Sequence, residues 1–183
     1  MLGSPAISGK SFLGAWPYLF RYPSPGKGLG TRQDARIARV NTYDISTDPS
    51  RLQLDAIHAY LTRSYWSPGV PREIVERAVA HSLCFGVYHG ESQVGFARVV
   101  TDKTTFGYLA DVYVLEEHRG QGLSKRLVEH VQAHPDLQGL RRFLLATKDA
   151  HGLYAQFGFK PVAKPQSMME IRDQAPYGQP LPE

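Results

Sequence analysis

Two glycines ahead of a helical pattern carry the clearest chemical signal in this chain. The run Asp111-Val112-Tyr113-Val114-Leu115-Glu116-Glu117-His118-Arg119-Gly120-Gln121-Gly122-Leu123-Ser124 passes from an apolar stretch through a Gly-x-Gly turn into an amphipathic pattern. That order reads as a strand, a tight turn and a helix start. The first turn of a helix exposes unpaired backbone N–H groups and the positive end of the helix dipole. Small residues let a diphosphate approach that backbone closely, which makes the turn an anion cradle. The same glycines would also serve a plain strand-to-helix turn that needs left-handed backbone. The motif alone leaves both readings open.

Other residue combinations carry less. His130 and His134 have the i, i+4 spacing of metal ligands, but no Glu follows the first and no third ligand is near in sequence; they read as a surface pair, and no metal is expected. Gly26-Lys27-Gly28-Leu29-Gly30 lacks both a preceding strand and the Gly-Lys-Ser/Thr ending of a phosphate loop. Cys84, the single cysteine, has no basic neighbour to activate a thiolate and reads as a core strand residue. No Gly-x-Ser-x-Gly elbow occurs.

The elements that must position this chemistry follow from periodicity. A short strand is expected over Arg39–Asp44. Leu52, Ala56, Ile57, Tyr60 and Leu61 form a helical stripe in Pro49–Thr62. After Ser67-Pro68-Gly69, a second helix is expected from Pro71 to about Ser82. Leu83–Tyr88 and Val94–Val100 flank His89-Gly90-Glu91 as a hairpin, and Thr105–Val114 is a third strand. Gly122–Ala133 is a helix stopped by Pro135, Arg142–Thr147 a strand, Ala150–Phe157 a helix closed by Gly158, and Met168–Arg172 a final strand. The expected order is β-αα-βββ-α-β-α-β, an α+β domain over residues 38–173.

Within that order, Arg119-Gly120-Gln121-Gly122-Leu123-Ser124 resembles the acetyl-CoA pyrophosphate loop of the GCN5-related N-acetyltransferase (GNAT) family, Arg/Gln-x-x-Gly-x-Gly/Ala, with Ser124 in place of the final Gly or Ala. Leu153-Tyr154-Ala155-Gln156-Phe157-Gly158-Phe159 is similar to the family's second signature, Leu-Tyr-x-x-x-Gly-Phe. The resemblance covers about residues 38–173. It implies the GNAT fold, a mixed and mostly antiparallel central sheet flanked by helices, and acetyl transfer from acetyl-CoA, a co-substrate, to a primary amine.

The resemblance also implies roles. Val112, Tyr113 and Val114 match the strand whose backbone pairs with pantetheine, and Arg119 to Ser124 match the loop that presents N–H groups to the diphosphate. The Arg119 side chain either adds charge or caps the loop. A backbone N–H near Val114 would stabilise the oxyanion. Tyr154 matches the tyrosine that protonates the departing thiolate, a step suited to a phenol of pKa about 10 facing a thiol of about 8.5 or somewhat above. An alkylammonium with a pKa of about 10.4 is neutral in only about 1 part in 2,500 at pH 7, so its proton must be removed. Asp111 lies where relatives acting on polyamines carry a carboxylate, and Tyr108 where some place their base; a tyrosine is a poor base at neutral pH, which favours a relay through water. Asp102 and Asp149 are weaker candidates, Asp149 reading better as a helix N-cap. The acceptor pocket maps to the loop between the first two helices, where Tyr65 and Trp66 are candidates to stack on the substrate. The alternative reading is an acyl-CoA sensor of the same fold that does not turn over.

Composition bounds the remainder. The chain has 183 residues, 42% hydrophobic and 21% charged, enough for one domain with a real core. Its net charge is +4, but residues 1–40 hold six Lys/Arg against Asp34 alone, leaving fifteen basic against sixteen acidic side chains beyond them. The body is therefore near neutral, which argues against nucleic acid. Ten of the first thirty residues are Gly or Pro, so residues 1–37 read as an extension and 174–183 as a loose tail. Pro17 interrupts the apolar run Phe12–Trp16 before it could form a signal-peptide core, while the acid-poor, Ser- and Arg-containing stretch leaves a transit peptide open. No apolar window approaches a membrane span. A cytoplasmic protein is expected, monomer or homodimer, acting on a small-molecule or peptide amine.

Overall fold

A computed structural model of the chain describes residues 43–178. Nine elements follow in order: β1 (Tyr43–Ser46), α1 (Leu54–Leu61), α2 (Arg72–Ala80), β2 (Leu83–His89), β3 (Ser92–Thr101), β4 (Phe106–Val114), α3 (Leu123–Ala133), β5 (Arg142–Leu145) and α4 (His151–Ala155). The strands form one five-stranded sheet in the order β1-β2-β3-β4-β5, antiparallel except where β5 joins β4 in parallel. This is the expected α+β architecture up to α4. Residues 39–42 of the expected first strand lie outside the described residues, as does the extension 1–37.

The sheet alternates because successive side chains leave opposite faces. One face sends Phe85, Val87, Val99, Leu109 and Val114 against Leu123, Leu127, Val128 and Val131, the apolar stripe of α3. The other sends Cys84, Phe96 and Tyr113 against Ile57, Tyr60 and Leu61 of α1 and Val75 of α2. Cys84 is buried as its strand position implied.

The final strand expected over Met168–Arg172 does not form. These residues pair with no strand, and Met169 and Ile171 are essentially fully exposed, at 97% and 106%. Period-2 alternation needs an apolar face to receive it, and here neither side chain has one. The tail expected from residue 174 instead turns back, and Tyr177 packs against the cluster beneath α1 and α2.

Candidate functional site

The site begins with a bulge. Phe96 of β3 registers with Tyr113, but Arg98 registers with Ala110, so Asp111 and Val112 together oppose Ala97. Asp111 absorbs the extra residue at φ 54, a left-handed conformation that aspartate tolerates better than most residues. The bulge turns its carboxylate toward the helical hairpin, where Oδ2 accepts from Arg98 Nε at 2.5 Å and Oδ1 from Trp66 Nε1 at 3.2 Å. Arg98 Nη1 also reaches Ser82 Oγ at 3.3 Å. Asp111 is therefore held by a partly buried cation and an indole.

Beyond the bulge β4 loses its neighbour. It pairs with β5 only over Phe106–Leu109, and the facing chain Ala146–Ala150 diverges. Between them opens a cavity of about 960 Å³. The Leu115 N–H bonds Val94 O at 2.8 Å toward β3, so strand alternation also turns Tyr113 toward β3 and leaves Val112 and Val114 facing the gap. Of the three residues expected to offer backbone groups, the middle one is thus occupied by Phe96.

At one end stands the start of α3. Gly120 and Gly122 have φ 77 and 74, and Gly122 is the residue before the helix. A Cβ on either would meet nothing within 4 Å, so the first turn is open to a large anion. Ser124 and Arg119 border the cavity, whereas Gly120, Gln121, Gly122 and Leu123 do not. The turn faces solvent, Gln121 bonds Tyr43, and Leu123 anchors the helix in the core. Arg119 spans the loop: Nε donates to Val114 O at 3.0 Å, and Nη2 to Tyr60 OH at 3.1 Å and Glu116 Oε1 at 3.2 Å. Glu116 also takes both Arg63 Nη groups, and that pairing holds its carboxyl down at about 2.

Tyr154, on α4, reaches the cavity from the β5 side, 8% exposed, and burial pushes its phenol up to about 12. Its hydroxyl bonds no described residue, so it is a neutral donor with nothing to donate to except an occupant. Trp66 meets Tyr65 edge-on at 4.9 Å and lies 6.3 Å from Tyr60, itself stacked on Tyr113 at 3.8 Å. The expected Tyr65, Trp66, Tyr108, Asp111 and Tyr154 all line one space. Tyr108 is raised by burial and by Asp111, which weakens it further as a base.

Of the lesser carboxylates, Asp102 serves a turn and Asp149 lines the cavity. Asp102 accepts from the N–H groups of Thr104, Thr105 and Phe106 and from the Thr105 hydroxyl, and these bonds, the Thr105 hydroxyl first, hold it well below the usual range. Asp149 is not the N-cap: Ala150 occupies that place and its N–H donates to Thr147 Oγ1 at 3.0 Å. Asp149 instead faces Tyr65 OH at 3.5 Å. Among the described residues no group of three or more His, Cys, Asp or Glu could hold a metal, and no helix is long and apolar enough to cross a membrane.

Sequence reasoning missed Arg63, Arg98, Glu116 and Arg172, all cavity-lining. Arg98 had a legible signal: it is the one charge in the apolar run Val94–Val100, and a charge inside a central strand needs a partner. Arg172 had none, because its place depends on a strand that does not form.

Residues 80–161 match the family model described as an acetyltransferase (GNAT) domain. A Gibberella zeae protein named as an acetyltransferase is 36% identical over 137 residues, 62% of this chain and 76% of that one. A crystal structure from Xanthomonas campestris pv. campestris, assigned to the GNAT family, is 52% identical, covers 76% of this chain and 99% of its own, and superposes with a TM-score of 0.74. The chain belongs to the GNAT acetyltransferase family. A Clostridium acetobutylicum acetyltransferase structure with acetyl-CoA, 12% identical with a TM-score of 0.53 over 72% of this chain and 95% of its own, shares the GNAT fold. The Xanthomonas protein matches with nearly its whole length while about a quarter of this chain has no counterpart in it.

Proposed function

We propose that this GNAT protein is an N-acetyltransferase that moves the acetyl group of acetyl-CoA directly to a primary amine in a ternary complex. The observation that carries the reading is the unpaired edge of β4, ending in an open helix start on one side and faced by the Tyr154 phenol on the other. The backbone N–H and C=O of Val112 can pair with pantetheine amides as an added strand would, while Val114 O accepts from Arg119 and leaves the Val114 N–H for the acyl end. The N–H groups at the start of α3 suit the diphosphate, and the Arg63–Glu116–Arg119 network fixes the edge beside it.

The amine nitrogen attacks the thioester carbonyl and forms a C–N bond. The carbonyl oxygen gains charge beside the Val114 N–H. The C–S bond breaks, and Tyr154 gives its proton to the sulfur. Bulk water restores that proton, and the ammonium proton leaves through water near Asp111 and Tyr108. Asp111 orients Trp66 and Arg98 at the acceptor end, since both oxygens are engaged.

The test is thiol release from acetyl-CoA against an amine panel, comparing wild type with Tyr154→Phe. Amine-dependent release that falls about tenfold or more in the variant supports the reading. Saturable acetyl-CoA binding with no release for any amine would replace it with the sensor reading.

A further inference from the structure

The cavity's charged groups are two closed sets, the neighbours Lys148 and Asp149 on the β5 side, and Arg172. At the cofactor end Arg63 and Arg119 share Glu116. At the acceptor end Arg98 is committed through Nε to Asp111 and through Nη1 to Ser82, and Asp111 is filled by Arg98 and Trp66. Arg172 lines the same cavity and makes no ion pair or hydrogen bond with any described residue.

Arg172 arrives there because of the strand that does not form. The chain after α4 crosses the sheet edge at Met168, whose sulfur lies 3.4 Å from Arg142 Nη1. Further on, Tyr177 docks under α1 and α2. The segment has a contact at each end, and between them it brings Arg172 to the cavity. Glu170 does not border the cavity, so the segment contributes a cation and no anion to it. With Asp111 already neutralised by Arg98, the carboxylate left to a substrate amine is Asp149, which accepts from Tyr65 OH at 3.5 Å, and the substrate's remaining groups meet the Arg172 guanidinium.

We propose that the acceptor is a primary amine carrying its own oxyanion, a carboxylate or a phosphate ester, and that Arg172 grips that group. The proposal rests on the transferase reading and names its substrate class. A guanidinium offers a planar fork of N–H donors that fits either oxyanion in a bidentate pair. Bound so, the oxyanion also neutralises the cavity's uncommitted guanidinium, and the aromatic rings of Trp66 and Tyr65 cover the carbon body between the two polar ends. A polyamine would place its second cation against Arg172 and is the acceptor this geometry disfavours.

The experiment uses the full chain and matched amine pairs: 2-phenylethylamine against phenylalanine for the carboxylate arm, ethanolamine against phosphoethanolamine for the phosphate arm, with spermidine as the cationic comparison. In wild type the oxyanion member of at least one pair is expected to be favoured about tenfold or more in kcat/KM, and the favoured pair identifies the source. Arg172→Ala is expected to bring that ratio to near one through KM, and Arg172→Lys to restore part of it. Arg172 is exposed, so these variants keep the fold. Preference for spermidine or for the plain amines, or a ratio unchanged in Arg172→Ala, overturns the proposal while leaving the transferase reading intact. Absence of transfer to every amine overturns the transferase reading; calorimetric binding of the same pairs to the CoA-saturated protein then decides the oxyanion preference by itself, and equal or absent binding of both members overturns it.

Discussion

Arg98 and Asp111 meet at 2.5 Å across the one place where β3 and β4 slip register, with side-chain exposures of only 19% and 10%. The bulge and the ion pair explain each other. Extended backbone at residue 111 would send its side chain toward α3; the left-handed turn sends it to Arg98. An isolated guanidinium in that strand would be costly, because burial of a lone charge is offset only by a close partner. The pair thus secures the backbone geometry that opens the edge of β4.

Removing one partner should cost more than removing both. Asp111→Asn leaves Arg98 charged and unpaired and is expected to lower unfolding free energy by about 3 kcal/mol. Arg98→Met combined with Asp111→Asn should recover a large part of it. Urea midpoints of the two single variants and the double give the coupling directly; additive losses would show that the pair is not what supports the bulge.

Tyr154→Phe should separate chemistry from folding. The hydroxyl bonds no described residue, so its removal strands no partner, and the melting temperature is expected to stay within a few degrees while kcat falls about tenfold or more. Burial raises the phenol to about 12, which keeps the donor protonated across the working range. The wild-type kcat/KM should therefore climb with the neutral amine fraction toward about pH 10 without an alkaline limb. A descending limb below pH 9 would point to a different acid.

The two motifs and all elements to α4 were legible because their cues are local. Gly120 and Gly122 mark a left-handed turn, Leu123, Leu127, Val128 and Val131 mark one helix face, and Tyr154 sits five residues before a phenylalanine in a recognisable signature. What sequence hid was relational. Nothing local says that Asp111 would be spent on Arg98 and Trp66, or that the alternation of Met169 and Ile171 would find no face to bury against. Asp149 reads as a cap from its position, yet Thr147 Oγ1 takes the Ala150 N–H instead. Partners outside the local stretch set the first two outcomes, and a threonine three residues away set the third.

Cys84 gives the fold an alkaline liability with a defined sign. Burial pushes its thiol from the ordinary value of 9.0 up to about 12, so the folded state holds the proton more tightly than the unfolded chain. That stability is complete below pH 9 and is lost as pH rises from there toward 12. By pH 10 Cys84 should account for about 1.5 kcal/mol of the loss, and Cys84→Ala should lose less than wild type by that amount, the raised phenols of Tyr88, Tyr108, Tyr113 and Tyr154 giving both proteins the same remainder. Urea titrations at pH 8 and 10 measure it, and a thiol reagent at pH 8 should label native Cys84 only at the rate of unfolding. Rapid labelling of the native protein would mean that the strand is open.

Gly122→Ala tests the anion cradle apart from the chemistry. At φ 74 an alanine is strained by about 1–2 kcal/mol, and with nothing within 4 Å of the new methyl the cost is conformational rather than a clash. The methyl would stand over the N–H groups that a diphosphate must approach. The KM for acetyl-CoA is expected to rise about tenfold, with kcat at saturation changing far less. Gly152→Ala is the matched control: its Cβ also meets nothing within 4 Å, but its φ is not positive and it lies inside α4, so it should leave KM unchanged and raise stability by up to about 1 kcal/mol. Equal KM values for the two variants would remove the start of α3 from the cofactor site, because strain alone would then account for whatever Gly122→Ala does.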